Sequence, residues 1–472
     1  MTTRISTLLD RLGSSYWFLP SVMTLAAIVL AQFTLWADTT VSSDALDAIP
    51  LLGSRVQADG ARTLLGSVAG SLITVTGLVF SLTMVALPMA AQQFGPRLVG
   101  NFMRDRGNQT VLGVFLATYV YCLTVLRSIR SPDLPSPDEL AAGAAADPGF
   151  VPQISLAAAF VLTLASLFVL IYFIHHVAES IQVGNVMARV SRVLAARVAA
   201  YPPKEDHEDD GHHGQGDGRE DAADDRDDDL DDDLDGFDVD VITLRSEHTG
   251  YLQAIDGANL ARLAHEHDAR IRLHHRPGAY VMRGGPLADV RPEAVADALR
   301  DKLASHLVFG RGRTYQQDPS FLFDQLLEVA LRALSPGIND PFTAIDAVDR
   351  LAEGLDLLAR REPPPSRWHD EEGMLRVVAP EFDLAGTAER VFGAIRGYGS
   401  GDLQVAKHLA STLRRLEAST DHDELRRAAA REVRRLLASA EPRLSSEDLA
   451  QLREASKRVT EWIRLEEADP DA

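Results

Sequence analysis

Apolar residues are concentrated in the first part of the chain, in windows that carry no charged side chain. Four such windows cover residues 12–37, 63–96, 107–126 and 148–174. A helix needs about 20 apolar residues to cross about 30 Å of hydrocarbon. We therefore predict four transmembrane helices, near residues 16–36, 63–89, 107–126 and 153–174.

Basic residues in the flanks of these windows predict the orientation. Both the N-terminus and the loop at 90–107 carry arginines, and so does the segment after the fourth window (Arg4, Arg11, Arg97, Arg104, Arg106, Arg189, Arg192, Arg197). Because cytoplasmic flanks are enriched in Lys and Arg, we expect both termini in the cytoplasm. The single cysteine, Cys122, lies inside the third window, so no disulfide framework is expected.

The segment after the fourth window continues as a helix-like stalk. Apolar residues recur every three to five positions from Ile174 to Val198, and "YPP" at 201–203 ends the pattern. This spacing predicts an amphipathic helix that packs against the protein or against further copies of it.

Most of the negative charge belongs to one segment. The chain has a formal net charge of −21, and Glu205–Asp240 supplies −17 of it. Dense like charge without apolar periodicity is typical of a disordered tether, and it would repel phosphates, so no nucleic-acid partner is expected. His207, His212 and His213 give an alternative metal site, but nothing there fixes the ligand geometry.

The remaining chain predicts a cytoplasmic α+β portion. Residues 239–311 are rich in strand patterns, and residues 312–472 are helical apart from one strand near 374–382. The stretch "RPGAYVMRGGPLA" resembles half of a biotinyl- or lipoyl-type barrel-sandwich domain, which implies a small barrel-like β segment. A carrier lysine is absent from it, so no swinging-arm cofactor is expected. The predicted domains are 1–200, 201–238, 239–311 and 312–472.

Two longer motifs point to a family. "SLTMVALPMAAQQFGPRLVGNFMRDRGNQTVLGVFLATYVYCL" and "RALSPGINDPFTAIDAVDRL" resemble signatures of the bacterial predicted membrane proteins of domain of unknown function 2254. The resemblance covers about residues 10–440 and implies a multi-pass protein of the bacterial inner membrane. It implies no activity, and the acidic tether is the main departure from the family pattern.

The second window contains a candidate pathway. Hydroxyl side chains share one helical face there, and two glutamines follow the kink expected at Pro88 (Ser67, Ser71, Thr74, Ser81, Gln92, Gln93). Packing between helices through small residues explains this face without any transport. The alternative is a polar lining that replaces the hydration of an ion in a ring of such helices.

The stretch "ALSPGINDPFTA" predicts a helix, a corner and a second helix. Pro336 and Gly337 end the first helix, while Asp340 caps the second and Pro341 occupies its first position. The alternative is a regulatory site for a small anion at that helix start, formed by Arg311, Arg313, Arg332, Asn339 and Asp340.

Together these patterns favour an oligomeric channel or channel-like transporter with a cytoplasmic regulatory domain. The alternative is a membrane-anchored sensor or assembly scaffold without transport. Walker, GxGxxG, GxSxG, HExxH and CxxC motifs are all absent from the sequence, so we predict neither an enzyme nor a cofactor or metal site.

Overall fold

The computed structural model describes residues 17–40, 56–95, 105–131, 149–180, 182–204 and 240–468. The chain divides into two compact units, residues 1–186 and 187–472. The tether at 205–239 lies outside the described residues.

The first unit contains four long apolar helices. They are α1 (Phe18–Thr40), α2 (Ala58–Phe94), α3 (Arg106–Ser128) and α4 (Gln153–Ser180). Each is long and apolar enough to cross a membrane, which confirms the four predicted spans. Helix α2 includes Pro88 and continues beyond it to Phe94.

Helix α3 lies at the centre of this unit. It packs against α1, α2 and α4. Its large side chains Phe115 and Tyr121 are fully buried, whereas Phe33, Phe80 and Phe168 on the other helices face outward. Outward apolar side chains are what a lipid-facing surface requires, because hydrocarbon does not penalise them.

Two carboxylates hold the ends of α4. Near its start, Asp38 accepts hydrogen bonds from the backbone N–H groups of Ile154 (2.7 Å) and Ser155 (3.0 Å). Near its other end, His176 Nε2 lies 3.1 Å from Asp105, which also caps α3 by accepting from Gly107 N. A carboxylate at a helix start satisfies donors that the helix leaves open.

The second unit begins within α5 (Val183–Val198). Its apolar stripe, Met187, Val190, Leu194 and Val198, is buried inside the chain itself. A Cβ on Gly354 would come within 2.5 Å of Leu194 Cδ2, so the two segments pack tightly. The packing alternative is thus confirmed for residues 187–198, whereas Ile174 at the start of the predicted stalk is exposed. Contact of other stalk surfaces with further copies stays a prediction.

Short strands and two helices follow the tether. They are β1 (Ile242–Arg245), β2 (Gly250–Ile255), α6 (Gly257–Glu266), β3 (Arg270–Leu273), β4 (Tyr280–Val281), β5 (Pro286–Arg291), α7 (Ala296–Ser305) and β6 (Leu307–Gly310).

The rest of the chain is mainly helical. It contains α8 (Ser320–Ala333), α9 (Pro341–Ala359), β7 (Arg367–His369), β8 (Leu375–Val378), α10 (Leu384–Gly399), α11 (Leu403–Ser419), α12 (Asp423–Ala440) and α13 (Ser446–Ala468). The corner between α8 and α9 is built as predicted. Asp340 accepts from Thr343 N at 3.1 Å, Pro341 is the first helical residue, and Asn339 has a positive φ of 51°.

The strands form two open sheets, so the predicted barrel-like segment is wrong. Among the described residues the sheet orders are β1-β5-β3-β8-β7 and β4-β2-β6, and neither sheet closes. The motif that suggested a barrel is divided between them, since β4 pairs with β2 while β5 pairs with β1 and β3. Gly278 (φ 97°) and Gly284 (φ 80°) make the turns that send these neighbouring strands apart.

Strand β8 extends the larger sheet from a distant part of the chain. It pairs in parallel with β3, placing Val377 opposite Ile271. Both side chains are fully buried in a core that includes Leu260 of α6 and Leu299 of α7. The strand predicted near 374–382 thus belongs to the same sheet as β1, β3 and β5.

Candidate functional site

The second unit contains a pocket of about 290 Å³. Its wall takes Tyr201 from the segment after α5, Ile255 from the end of β2, Trp368 from β7 and Phe382 from the segment after β8. Strands of both sheets contribute to it. Pockets that bind small ligands begin near this size and are mostly apolar, with a few placed polar groups.

Rigid side chains dominate the wall. Besides the three aromatic rings of Tyr201, Trp368 and Phe382, five prolines line the pocket (Pro202, Pro277, Pro364, Pro365, Pro380). Proline has a fixed φ and lacks an N–H, and aromatic rings have few rotamers. The pocket is therefore preformed to an extent that flexible aliphatic side chains would not permit.

Two polar groups at the end of α5 are buried and have no hydrogen-bond partner in the described part of the chain. They are the Tyr201 hydroxyl and Arg197 Nε, and both residues line the pocket. The Arg197 guanidinium carbon lies 5.8 Å from the centre of the Tyr201 ring. Burial raises the pKa of Tyr201, and the charge of Arg197 together with its side-chain donor near the hydroxyl partly offsets that rise. The hydroxyl is therefore neutral at physiological pH and is available as a donor.

A second arginine, Arg276, lines the pocket from the segment between β3 and β4. Arg276 lies over the Phe382 ring, 5.2 Å from its centre, and makes only long hydrogen bonds of 3.4 and 3.5 Å to Ser320 Oγ. Gln317, also in the wall, is already committed, because its side-chain amide accepts from Ile255 N and donates to Ile255 O.

Asp318 follows the lining residue Gln317 in the chain and forms an ion pair beside the pocket wall. Arg313 donates two hydrogen bonds to it, at 2.7 and 2.9 Å. Burial raises the pKa of Asp318, whereas the nearby charges of Arg313 and Arg276 oppose that rise. The turn before β4 approaches it so closely that a Cβ on Gly278 would lie 2.2 Å from Asp318 Oδ2.

The predicted anion-site residues are not gathered into one open site. Arg313 is paired with Asp318 and Asp324, and Arg332 lies 3.9 Å from Glu328. Asp340 is occupied by Thr343, Asn339 lies in the corner, and Arg311 is exposed after β6. Ligand binding by this set stays a prediction, but its arginine and aspartate charges are largely used within the protein.

The predicted pathway residues lie on the outer surface of the first unit. Ser67, Ser71, Thr74 and Ser81 are all exposed, and the side chains of Gln92 and Gln93 lie outside the described part of the chain. Ser71 and Thr74 donate to the carbonyls of Ser67 (2.8 Å) and Gly70 (2.9 Å). Ser67 and Ser71 also line a shallow groove of about 290 Å³ with residues of α3 and α4.

A second polar cluster fixes α6 to the loop between β7 and β8. Asp370 receives hydrogen bonds from Arg376 Nε (2.8 Å) and from the backbone N–H groups of Glu372 and Met374, and it lies 2.9 Å from His265 Nδ1. These hydrogen bonds lower the pKa of Asp370, that from Arg376 most of all. Although His265, Asp370 and Glu372 lie close enough to hold a metal, the carboxylate of Asp370 is already fully engaged.

Sequence reasoning did not find the pocket. Tyr201, Arg276 and Trp368 are far apart in the chain, and only the folded unit brings them to one pocket. The proline clusters at 202–203 and 363–365 were the available signal, because they mark two rigid turns that need a common packing surface.

Comparison with known proteins agrees with the four apolar helices. The model of a family described as "Predicted membrane protein (DUF2254)" matches residues 13–415. The chain belongs to this family. It is similar to uncharacterized proteins of Mycobacterium tuberculosis and Mycobacterium bovis, with 30% identity over 471 residues that cover 98% of this chain and 83% of each relative. No solved structure matches this DUF2254 protein.

Proposed function

We propose that this membrane protein is a ligand-responsive sensor. Its C-terminal unit binds a small molecule in the pocket between Tyr201, Trp368 and Phe382, and the bound state acts on the membrane helices. In this proposal the C-terminal unit lies in the cytoplasm, as the arginine distribution predicts.

The observation that carries the proposal is the pair of unpartnered polar groups in the pocket wall. Tyr201 is only 7% exposed, yet neither its hydroxyl nor Arg197 Nε has a hydrogen-bond partner among the described residues. A buried polar group without a partner destabilises a protein by about 1–3 kcal/mol. Such groups in a preformed pocket are supported best as ligand contacts, because a ligand would provide the missing partners.

Chain connectivity supports a link to the membrane. Arg197 belongs to α5, which begins three residues after the last residue of α4, the fourth apolar helix. Tyr201 follows α5 directly, and Arg361 donates to Tyr201 O at 3.1 Å, which ties this end of α5 to the segment after α9. A ligand that fixes Arg197 and Tyr201 would therefore restrain the helix that continues from the last membrane span.

The test compares two bulky substitutions in the full-length protein in lipid nanodiscs. Ala200→Trp places a ring at the pocket wall, whereas Ala196→Trp adds the same ring to an exposed position of α5 that does not line the pocket. A library of small ligands is screened by thermal stability, because a ligand that binds only the folded state raises stability with its concentration.

We expect compounds that stabilise the wild type and Ala196→Trp, and that lose this effect in Ala200→Trp. If no compound distinguishes Ala200→Trp from the other two proteins, the pocket is not a ligand site and the proposal is wrong.

A conducting oligomer is the second candidate. The observation that favours it is the exposed hydroxyl face of α2, which only neighbouring copies could enclose into a polar path. Thr74→Leu and Ser71→Leu should then abolish ion flux into liposomes, while Ile73→Leu, on another exposed position of α2, should not. A scaffold or sensor without conduction shows no flux in any of these proteins.

A further inference from the structure

We infer that the ligand of the pocket is a small organic anion with a flat aromatic body, such as an aromatic carboxylate or an aryl phosphate. This inference rests on the proposed ligand-binding function and names the class of molecule that the wall would recognise.

The charge of the wall selects an anion. Arg197 and Arg276 both line the pocket, and among the described residues no Asp or Glu lines it. Asp318, the carboxylate that interacts with the charge of Arg276, is paired with Arg313 at 2.7 Å. The positive charge at the wall is therefore only partly compensated. An anion would neutralise the remainder and accept charge-assisted hydrogen bonds from the arginines.

The remaining capacity for hydrogen bonds also fits an anion. Arg197 Nε is a donor only, and the neutral Tyr201 hydroxyl is free to donate as well. The hydrogen bonds from Arg276 to Ser320 Oγ are 3.4–3.5 Å long, so they are weak, and the guanidinium can still make shorter ones to a ligand. Two donors without a partner in the described part of the chain, and a third with only long hydrogen bonds, favour oxygens on the ligand.

The shape and composition of the wall select the aromatic body. The rings of Trp368, Phe382 and Tyr201 and the five prolines present flat, rigid surfaces, which suit a planar ring. Both arginines already lie against aromatic rings, Arg197 against Tyr201 and Arg276 against Phe382. A guanidinium held in this way is oriented before the ligand arrives, so less conformational entropy is lost on binding.

The volume limits the size of the ligand. About 290 Å³ lies at the lower end of the range for small-molecule pockets. A ring system with one anionic group suits this volume, whereas a dinucleotide or another extended cofactor would not be enclosed.

The experiment measures calorimetric binding to the full-length protein in nanodiscs, with empty nanodiscs subtracted. The probes are 2-naphthoate, 2-naphthyl phosphate and the uncharged 2-naphthamide. We expect either anion to bind at least about tenfold more tightly than the amide, because hydrogen bonds to charged groups are stronger than neutral ones. The stronger of the two anions tells a carboxylate ligand from a phosphate ligand.

Variants locate the anion. Arg276→Gln should weaken binding of the preferred anion by about 10- to 100-fold and leave binding of the amide unchanged. Arg283→Gln, at an exposed arginine that does not line the pocket, is the matched control and should change neither.

The outcomes separate the two claims. If the amide binds as tightly as the anions and Ala200→Trp blocks it, the pocket binds ligands but the anion inference is wrong. If the anions bind equally to wild type, Arg276→Gln and Ala200→Trp, they bind elsewhere, and the inference is again wrong. If none of the three probes binds, the aromatic-anion class is overturned, and the ligand screen against Ala200→Trp decides the pocket function separately.

Discussion

The hydroxyl groups of α2 and the Tyr201 hydroxyl of the pocket differ in whether they have a hydrogen-bond partner. On α2, Ser71, Thr74, Thr76 and Thr83 each donate to a carbonyl four residues earlier, at 2.6–2.9 Å. In the pocket the Tyr201 hydroxyl is buried and donates to no other group of the described chain. A hydroxyl that bonds to its own helix has its donor already used, whereas a buried hydroxyl without a partner in the described chain can still donate to a ligand.

The comparison shows that polar residues at a regular spacing are a weak indication of a site. The hydroxyl side chains of α2 recur at a regular spacing, yet several of them already donate to backbone carbonyls of their own helix. The pocket residues follow no regular spacing in the sequence, but the Tyr201 hydroxyl and Arg197 Nε have no hydrogen-bond partner among the described residues.

The largest effect is expected for Arg313→Ala. It removes the partner of Asp318, whose side chain is 1% exposed, and one partner of Asp324. Breaking a buried ion pair in this way destabilises a protein by about 3–5 kcal/mol. The measurement is urea unfolding followed by the fluorescence of Trp368, with the other three tryptophans replaced by Phe.

Arg311→Ala is the control for that variant. Arg311 is exposed, so its removal should change the free energy of unfolding by less than about 0.5 kcal/mol. Equal, small effects of the two substitutions would show that Arg313 is not a structural residue and would return it to the predicted anion site.

Next in size is Gly278→Ala. Both Gly278 and Gly284 have a positive φ, so Ala at either position should cost about 1–3 kcal/mol. At Gly278 the new Cβ would also meet Asp318, whereas at Gly284 nothing lies within 4 Å. We expect Gly278→Ala to lower the unfolding midpoint in urea clearly more than Gly284→Ala. The same loss for both would mean that Asp318 does not support the pocket.

The sequence predicted the parts of the fold that depend on local patterns. Uncharged windows gave the four apolar helices, and Asp340 with Pro341 gave the start of α9, because membrane spanning and helix capping are decided within a few turns. The sheet topology was predicted wrongly. The barrel-like motif around Gly278 and Gly284 is split between two sheets, and β8 joins β3 across about 100 residues.

The candidate site was not predicted either, because it too depends on contacts between distant parts of the chain. Arg313 stood out beside the corner motif, but its charge is used by Asp318 and Asp324. Tyr201 had no distinguishing neighbour in the sequence apart from two prolines. Whether a polar side chain finds a partner depends on tertiary contacts, which a single sequence does not display.

Removing one hydroxyl from each region compares them directly. Tyr121, in the first unit, bonds to Thr34 Oγ1 (2.8 Å) and to Ser155 O (3.2 Å), so Tyr121→Phe should destabilise that unit by about 1 kcal/mol. Tyr201→Phe should leave the ligand-free C-terminal unit equally stable or slightly more stable, because no hydrogen bond is lost. Thermal unfolding of both variants checks this, and a clear loss for Tyr201→Phe would contradict the comparison.

The smallest effect is a pH dependence at the larger sheet. Burial alone would raise the pKa of Asp289, but hydrogen bonds from His274, Thr243 and Arg272 bring it below its ordinary value. Since the folded pKa is the lower one, the stabilisation is present above the unfolded pKa of about 3.9 and is lost as pH falls through the folded pKa. Unfolding midpoints measured between pH 6 and 3 should fall less steeply for Asp289→Asn than for the wild type.

Hydrogen–deuterium exchange in nanodiscs tests the central claim most directly, namely that the pocket senses a ligand on behalf of the membrane helices. It is measured with and without a saturating ligand of the pocket, for the wild type and for Ala200→Trp. We predict slower exchange in α5, residues 183–198, together with a change in α4, residues 153–180, in the wild type alone. Protection confined to the pocket segments around Arg276 and Trp368, with α4 and α5 unchanged, would contradict the account.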